Sequence, residues 1–188
     1  MRTADWIALL CAVTLFTGCG KSALETTFAS QSDKIDAYVN KQLESHPEYR
    51  AVYDQGVVRL VVAEGEGAEA AKGGKVTFYY AAYNFNNSSI SAGSLFATND
   101  IDIAAAARWN VSDTTLFLPA TVTLGKDKLV TGLEIGLNGV KRGEDSFIIF
   151  PGNYGFGKRQ LGTIPANAAI CYHIRVEAGP KRRRLTYK

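Results

Sequence analysis

The stretch GNYGFGKR, Gly152 to Arg159, follows the strand-like run SFIIFP and fits G-x-x-x-x-G-K up to its last position, where Arg159 replaces Ser or Thr. A phosphate cradle needs inward-turned backbone N–H groups, a Lys on the terminal phosphates, a hydroxyl on magnesium and a helix opening at the loop. Here the chain continues as QLGTIPANAA, and Gly162 and Pro165 sit where that helix should run. Tyr154 and Phe156 also have no purpose in a loop that wraps phosphate with main chain. The expectation is a glycine-punctuated turn with an aromatic job, and no nucleotide.

Other reactive residue types are sparse. His46 and His173 are the chain's two histidines, far apart and without Cys or carboxylates at ligand spacing, so neither a metal nor another cofactor is expected. There is no G-x-S-x-G elbow for a hydrolase, and Glu134 and Glu144 flank a helix and a turn, where carboxylates are usually solvated. Cys171 lies inside a strand-like run and reads as a small buried hydrophobe rather than a nucleophile. What remains is an aromatic and aliphatic surface. It suits binding, or chemistry that needs no titrating side chain.

At 188 residues, with ordinary shares of apolar and charged residues, the chain suits one globular domain with accessories. Its net charge of +3 is owed to Lys181, Arg182, Arg183 and Arg184, leaving the body near neutral and without a nucleic-acid footprint. Residues 180–188 therefore read as a basic tail. The apolar run WIALLCAVTLFTGC is too short for a bilayer span but suits a signal-peptide core over 1–18. Its end, Phe16-Thr17-Gly18-Cys19, resembles a bacterial lipobox, which implies diacylation of Cys19 and a membrane anchor; a plain signal peptide or an uncleaved anchor is the alternative. If Cys11 leaves with the signal and Cys19 carries lipid, no internal disulfide remains possible.

The elements that must position the aromatics follow from periodicity. Residues 19–31 are polar and aperiodic and read as a flexible tether. Ile35, Tyr38, Val39 and Leu43 recur at helical spacing behind the cap candidates Ser32 and Asp33, which predicts an amphipathic helix over 32–52, stopped or kinked at Pro47 and docked on its own domain, with dimerisation the alternative. Strands are expected in GVVRLVVAEGEG, GGKVTFYYAAY, TTLFLPATVTL, DSFIIFP and AAICYHIRVE. A short helix near 100–110 is capped by Asp100 or Asp102, and Leu133, Leu137 and Val140 mark a second, bounded by Gly132 and Gly139. Strands dominate and connections are few. The class is α+β, an antiparallel twisted sheet wrapped on one short central helix, with an N-terminal helix.

The succession GKVTFYYAAY, SLFATN, TLGKDKLVTGLEIGLNGVKRGEDSFIIFPGNYGFG and GTIPANAAICYHIRVE resembles the blocks of an FKBP-type peptidyl-prolyl cis-trans isomerase, over about Gly56 to Glu177. The resemblance implies an FKBP-like domain over 56–179 with an inserted helical segment, acting on proline-containing polypeptides. It also implies a proline pocket walled by Tyr80 and Phe96 and floored by Leu133. Leu129, Val130, Tyr154, Phe156, Ile164 and Tyr172 complete it. Three positions depart from the family pattern: Ala97 where an Asp usually follows the pocket Phe, Leu133 where a Trp forms the floor, and Phe156 where a Tyr hydroxyl meets the substrate carbonyl. Combined with the lipobox, the expected setting is the bacterial envelope, lipid-anchored at the outer membrane and facing the periplasm, with a role in folding exported proteins.

Overall fold

The computed structural model describes residues 19–86 and 90–179. The signal-peptide and basic-tail segments lie outside them. In chain order the elements are α1 (Cys19–Ser45), β1 (Arg50–Asp54), β2 (Val57–Ala63), β3 (Lys75–Asn84), β4 (Leu95–Thr98), α2 (Ile101–Ala106), β5 (Ala120–Thr123), α3 (Thr131–Leu137), β6 (Asp145–Phe150) and β7 (Ile170–Val176). All pairings are antiparallel, in the order β1-β2-β6-β7-β3-β4. β5 pairs with the first half of β3 and β4 with the second half, so the two lie in succession along one edge of β3.

The sheet carries two cores. On one face α3 buries Leu133 and Leu137 against Phe78, Ile148, Phe150, Ile170 and Ile174. The close approach depends on two glycines one helical turn apart: a Cβ on Gly132 would sit 2.3 Å from the Phe150 ring, and one on Gly136 would sit 2.2 Å from Ile148 Cγ2. Gly132 is thus inside the helix, not its boundary; Gly139, at φ +81°, follows the end as expected. On the other face α1 lays Ile35 and Val39 over Val58, Leu60, Phe85, Ile149 and Cys171. Along β7, Ile170, Tyr172 and Ile174 face the first core and Cys171 the second, while His173 and Arg175 on that second face reach solvent.

Three expectations about elements are corrected. Residues 19–31 are helical rather than a tether: α1 runs without a break from Cys19, and Ser32, a candidate cap, instead donates its hydroxyl to the Phe28 carbonyl one turn back. The helix predicted over 32–52 ends at Ser45, before Pro47, and Arg50–Asp54 is β1, which pairs with β2 across a two-residue turn. Gln55 (φ 48°) and Gly56 (φ 83°) take the left-handed conformations that suit such a hairpin. Finally, TTLFLPATVTL is a strand only from Ala120; Thr114–Phe117 is a 3-10 turn capped by Asp113.

The inserted segment leaves β4 and returns at β5, bulging from the edge of β3. Its helix α2 is capped by Asp100, whose carboxylate accepts from the N–H groups of Asp102 and Ile103 and pairs with Arg175. Buried Asn99 bridges the gap between the two edge strands: Oδ1 accepts from Tyr80 N–H (2.6 Å), and Nδ2 donates to the carbonyls of Phe78 and Leu118. One side chain so completes the backbone hydrogen bonding of the strand that carries Tyr80.

Candidate functional site

Phe78, Tyr80, Phe96, Ala97, Ala120, Val122, Lys128, Leu129, Val130, Leu133, Phe156, Ile164 and Tyr172 enclose a cavity of about 440 Å³. That size suits a small organic group, and the lining is of the apolar, aromatic kind that small-ligand sites favour. Another depression, of about 410 Å³, is lined by Asp54, Gln55, Lys72, Glu134 and Asn138 among others, and lacks aromatic rings.

Each wall comes from a different element. β3 supplies Tyr80, β7 supplies Tyr172, and their rings lie 6.0 Å apart. Phe96 on β4 stands edge-on to both Phe156 (5.9 Å, 82°) and Tyr172 (6.5 Å, 85°), the geometry in which a ring's positive edge meets a negative face. Phe150 stacks behind Tyr172 at 6.2 Å. Leu133 rises from the first turn of α3, and Leu129 and Val130 come from the segment leading into it. Ile164 is held by a tight turn in which Leu161 and Ile164 exchange two backbone hydrogen bonds.

Eight of the nine residues expected at the pocket line it. Tyr154 does not. It ends the short 3-10 turn Gly152–Tyr154 and packs on the β1–β2 turn, where a Cβ on Gly56 would lie 3.3 Å from its ring. Tyr154 and Phe156 both pack against the core that carries the pocket, but only Phe156 reaches its lining. Sequence reasoning missed Phe78, Ala120, Val122 and Lys128. Phe78 was legible in principle, because it shares a face with Tyr80; Ala120 and Val122 join the lining through the pairing of Ala120 with Phe78 in the sheet.

Lys128 is the single charged residue of this lining, and it is exposed. Burial raises the phenol pKa of Tyr80, and raises that of Tyr172 further with neighbouring Tyr80 adding to it, so both rings stay neutral at physiological pH. Away from the pocket, His173 Nε2 lies 2.7 Å from Asp145 Oδ1 and its ring stacks on Phe147 at 4.3 Å, so it is an occupied surface group. Cys171 is fully buried, with its thiol pKa raised by desolvation. Among the described residues no group of three or more His, Cys, Asp or Glu is placed to hold a metal ion, and no helix is long and apolar enough to cross a membrane.

The loop that supplies Phe156 and Ile164 runs between β6 and β7 and is closed at its neck. Gly152 meets Asn167 so closely that a Cβ would fall 2.1 Å from the Asn167 carbonyl oxygen. Asn167 N–H donates to Gly157 C=O (2.8 Å), and Asn84 Nδ2 donates to Thr163 C=O (3.0 Å). The glycines of GNYGFGKR thus serve a compact loop: Gly152 for close approach and Gly157, at φ +78°, for a turn.

Residues 110–177 match the model of a family described as FKBP-type peptidyl-prolyl cis-trans isomerase. FK506-binding protein 1 of Aspergillus oryzae is 25% identical over 119 residues, covering 63% of this chain and 94% of that relative. The FK506-binding protein of Neisseria meningitidis is 27% identical over 112 residues, covering 59% of this chain and 84% of its own length. Among solved structures, FkpA from Escherichia coli superposes with a TM-score of 0.53 over 94% of this chain and 72% of that one, at 17% identity, a likeness of fold. Tyr80 and Phe96 precede the segment matched by the family model, and the sheet brings them to it. The matched segment, the relatives and the fold agree in one likeness: this chain is similar to FKBP-type peptidyl-prolyl cis-trans isomerases, and its residues 110–177 carry the match to that family's model.

Proposed function

We propose that this chain catalyses cis-trans isomerisation of X-Pro bonds in exported polypeptides, in the bacterial envelope, tethered to the membrane through a lipid on Cys19. The observation that carries the catalytic part is the convergence of Tyr80, Phe96, Leu133, Phe156, Ile164 and Tyr172 on one apolar cavity. Amide resonance sets a rotation barrier of roughly 18–20 kcal/mol, and uncatalysed X-Pro bonds turn over in tens to hundreds of seconds. Twisting the bond removes resonance, and with it much of the charge separation of the planar amide. A dry aromatic pocket accordingly favours the twisted state over the ground state, with no nucleophile, titrating residue or cofactor. The prolyl ring would rest among these apolar walls. The chain before it would lie toward the exposed Lys128.

The measurement is magnetisation-exchange NMR on a proline peptide. A rate equal to the uncatalysed one at high enzyme concentration overturns the catalytic reading. It would favour a second one, a binding module that keeps the fold, which the absence of polar handles at Ala97, Leu133 and Phe156 supports. The anchor has its own test: labelled-lipid incorporation by the wild type and by Cys19→Ala, expected in the first and lost in the second. Incorporation in neither returns the N-terminus to a plain signal peptide or an uncleaved anchor.

A further inference from the structure

We propose that Gln31, on the far face of the sheet from the cavity, is a positioning residue for the pocket. Its amide reaches both sides of the neck that closes the loop carrying Phe156 and Ile164: Oε1 accepts from Gly152 N–H (2.8 Å) and Nε2 donates to Asn167 C=O (2.8 Å). This rests on the catalytic reading of the pocket, but the contacts themselves do not.

The chemistry of the neck selects this side chain. One side of the neck offers a donor and the other an acceptor, so the clasp must accept and donate at once. A lysine cannot accept, an ionised glutamate cannot donate, and an asparagine is shorter by a methylene. Asn167 is itself in the left-handed region at φ +55°, which asparagine tolerates better than other non-glycine residues and which turns its carbonyl at the neck. The helix is fixed on the sheet by Ile35 and Val39, the first of them one helical turn beyond Gln31. The clasp therefore ties the loop to a rigid body outside the loop. Without it, the remaining bonds given above, Asn167 to Gly157 and Asn84 to Thr163, hold the loop to itself and to β3.

A loosened neck would let Phe156 and Ile164 leave the cavity part of the time. Only the assembled fraction would bind substrate, so the apparent KM rises by the inverse of that fraction while turnover of the bound complex is unchanged. Loss of two hydrogen bonds weakens closure by more than the roughly two- to tenfold of a single bond, and because the wild-type neck starts closed only part of this emerges as a rise in KM, about three- to tenfold.

The variant is Gln31→Met, which keeps length and helix propensity and removes both polar contacts. The readouts, on the full chain, are the kinetics of a proline peptide, thermal melting and amide hydrogen exchange. The expected result is KM raised about three- to tenfold with kcat within twofold, a nearly unchanged Tm, and exchange at Ile164 and Asn167 faster by at least fivefold. Ile148 on β6 and Ile174 on β7 should exchange as in the wild type, and Lys34→Ala, a neighbouring change on the same helix, should do nothing. Wild-type exchange at Ile164 and Asn167 in Gln31→Met overturns the proposal, as does an even rise across β6 and β7 with a lowered Tm, which would make Gln31 a support of the whole fold. If the wild type has no isomerase activity, the catalytic reading falls and the loop exchange still decides whether Gln31 holds the neck.

Discussion

Phe156 is where the pocket's chemistry is thinnest. Its ring meets Phe96 edge-on and closes one wall, yet it offers no hydrogen bond to a substrate carbonyl. Restoring a hydroxyl there tests whether catalysis uses one: Phe156→Tyr is expected to raise kcat/KM about two- to tenfold, the worth of one net hydrogen bond. The check is magnetisation-exchange NMR of both proteins on the same peptide. An unchanged rate would show that the carbonyl is served by another group or needs none. At this scale the sequence was informative, because eight of the nine residues named from it line one cavity. Tyr154 misled because it shares loop and chemistry with Phe156, and only the path of the backbone separates them. Ala120 and Val122 escaped notice because small aliphatic side chains carry no chemical signal of their own and become walls only when β5 is laid beside β3.

At the scale of elements, α3 can approach the sheet because Gly132 and Gly136 have no Cβ to strike Phe150 and Ile148. Two effects oppose each other at Gly136. Alanine is the better helix former by about 1 kcal/mol, but its methyl would lie 2.2 Å from Ile148 Cγ2 in a core that is already filled, and overpacking typically costs about 1–3 kcal/mol. The clash involves a β-branched side chain in a strand, which has little freedom to withdraw. The cost therefore falls toward the upper end of its range, and Gly136→Ala is expected to lower stability by up to about 2 kcal/mol net and to shift Leu133 outward. Thermal melts check the first, and a raised KM for a proline peptide the second. The double variant with Ile148→Ala should melt above the sum of the single losses, since one removes the obstacle to the other. Helical spacing in the sequence placed α3 but set Gly132 at its boundary, because periodicity registers the apolar face and is silent about how near the partner lies. β1 was hidden for a related reason. Arg50–Asp54 is only five residues long and charged at both ends, and is a strand by virtue of its pairing with β2, although Gln55-Gly56 offered a local sign of the turn. The early start of α1 was likewise unreadable from a polar stretch whose helix is favoured by contacts made elsewhere, Gln31 among them.

For the whole molecule the sheet is a shared wall, with the pocket and α3 on one face and α1 on the other, and Cys171 reports on the second without touching the first. Its thiol is buried beneath α1 and its pKa is raised by desolvation. Alkylation requires both access and the thiolate, so the folded wild type should leave the Cys171 peptide unlabelled at pH 8. Val39 is fully buried at the centre of this helix–sheet contact, and an aspartate there would have to bury an unpaired charge. Releasing the helix forfeits the burial of Ile35 and Val39, about 1.5–3 kcal/mol each, which is less than a buried unpaired carboxylate would cost. Val39→Asp should accordingly undock α1 while the α3 core holds the sheet together. Iodoacetamide labelling of Cys171, read by peptide mass, should then rise at least tenfold with the near-ultraviolet circular dichroism of the pocket aromatics largely kept. If the clasp by Gln31 acts as proposed, the same variant also raises KM, because the helix that carries the amide has left. Continued protection of Cys171 in Val39→Asp would mean that the helix stays seated despite the charge. Labelling accompanied by loss of the aromatic signal would mean that the two faces melt as one unit, and that α1 is part of the fold's stability rather than a separable brace behind the pocket.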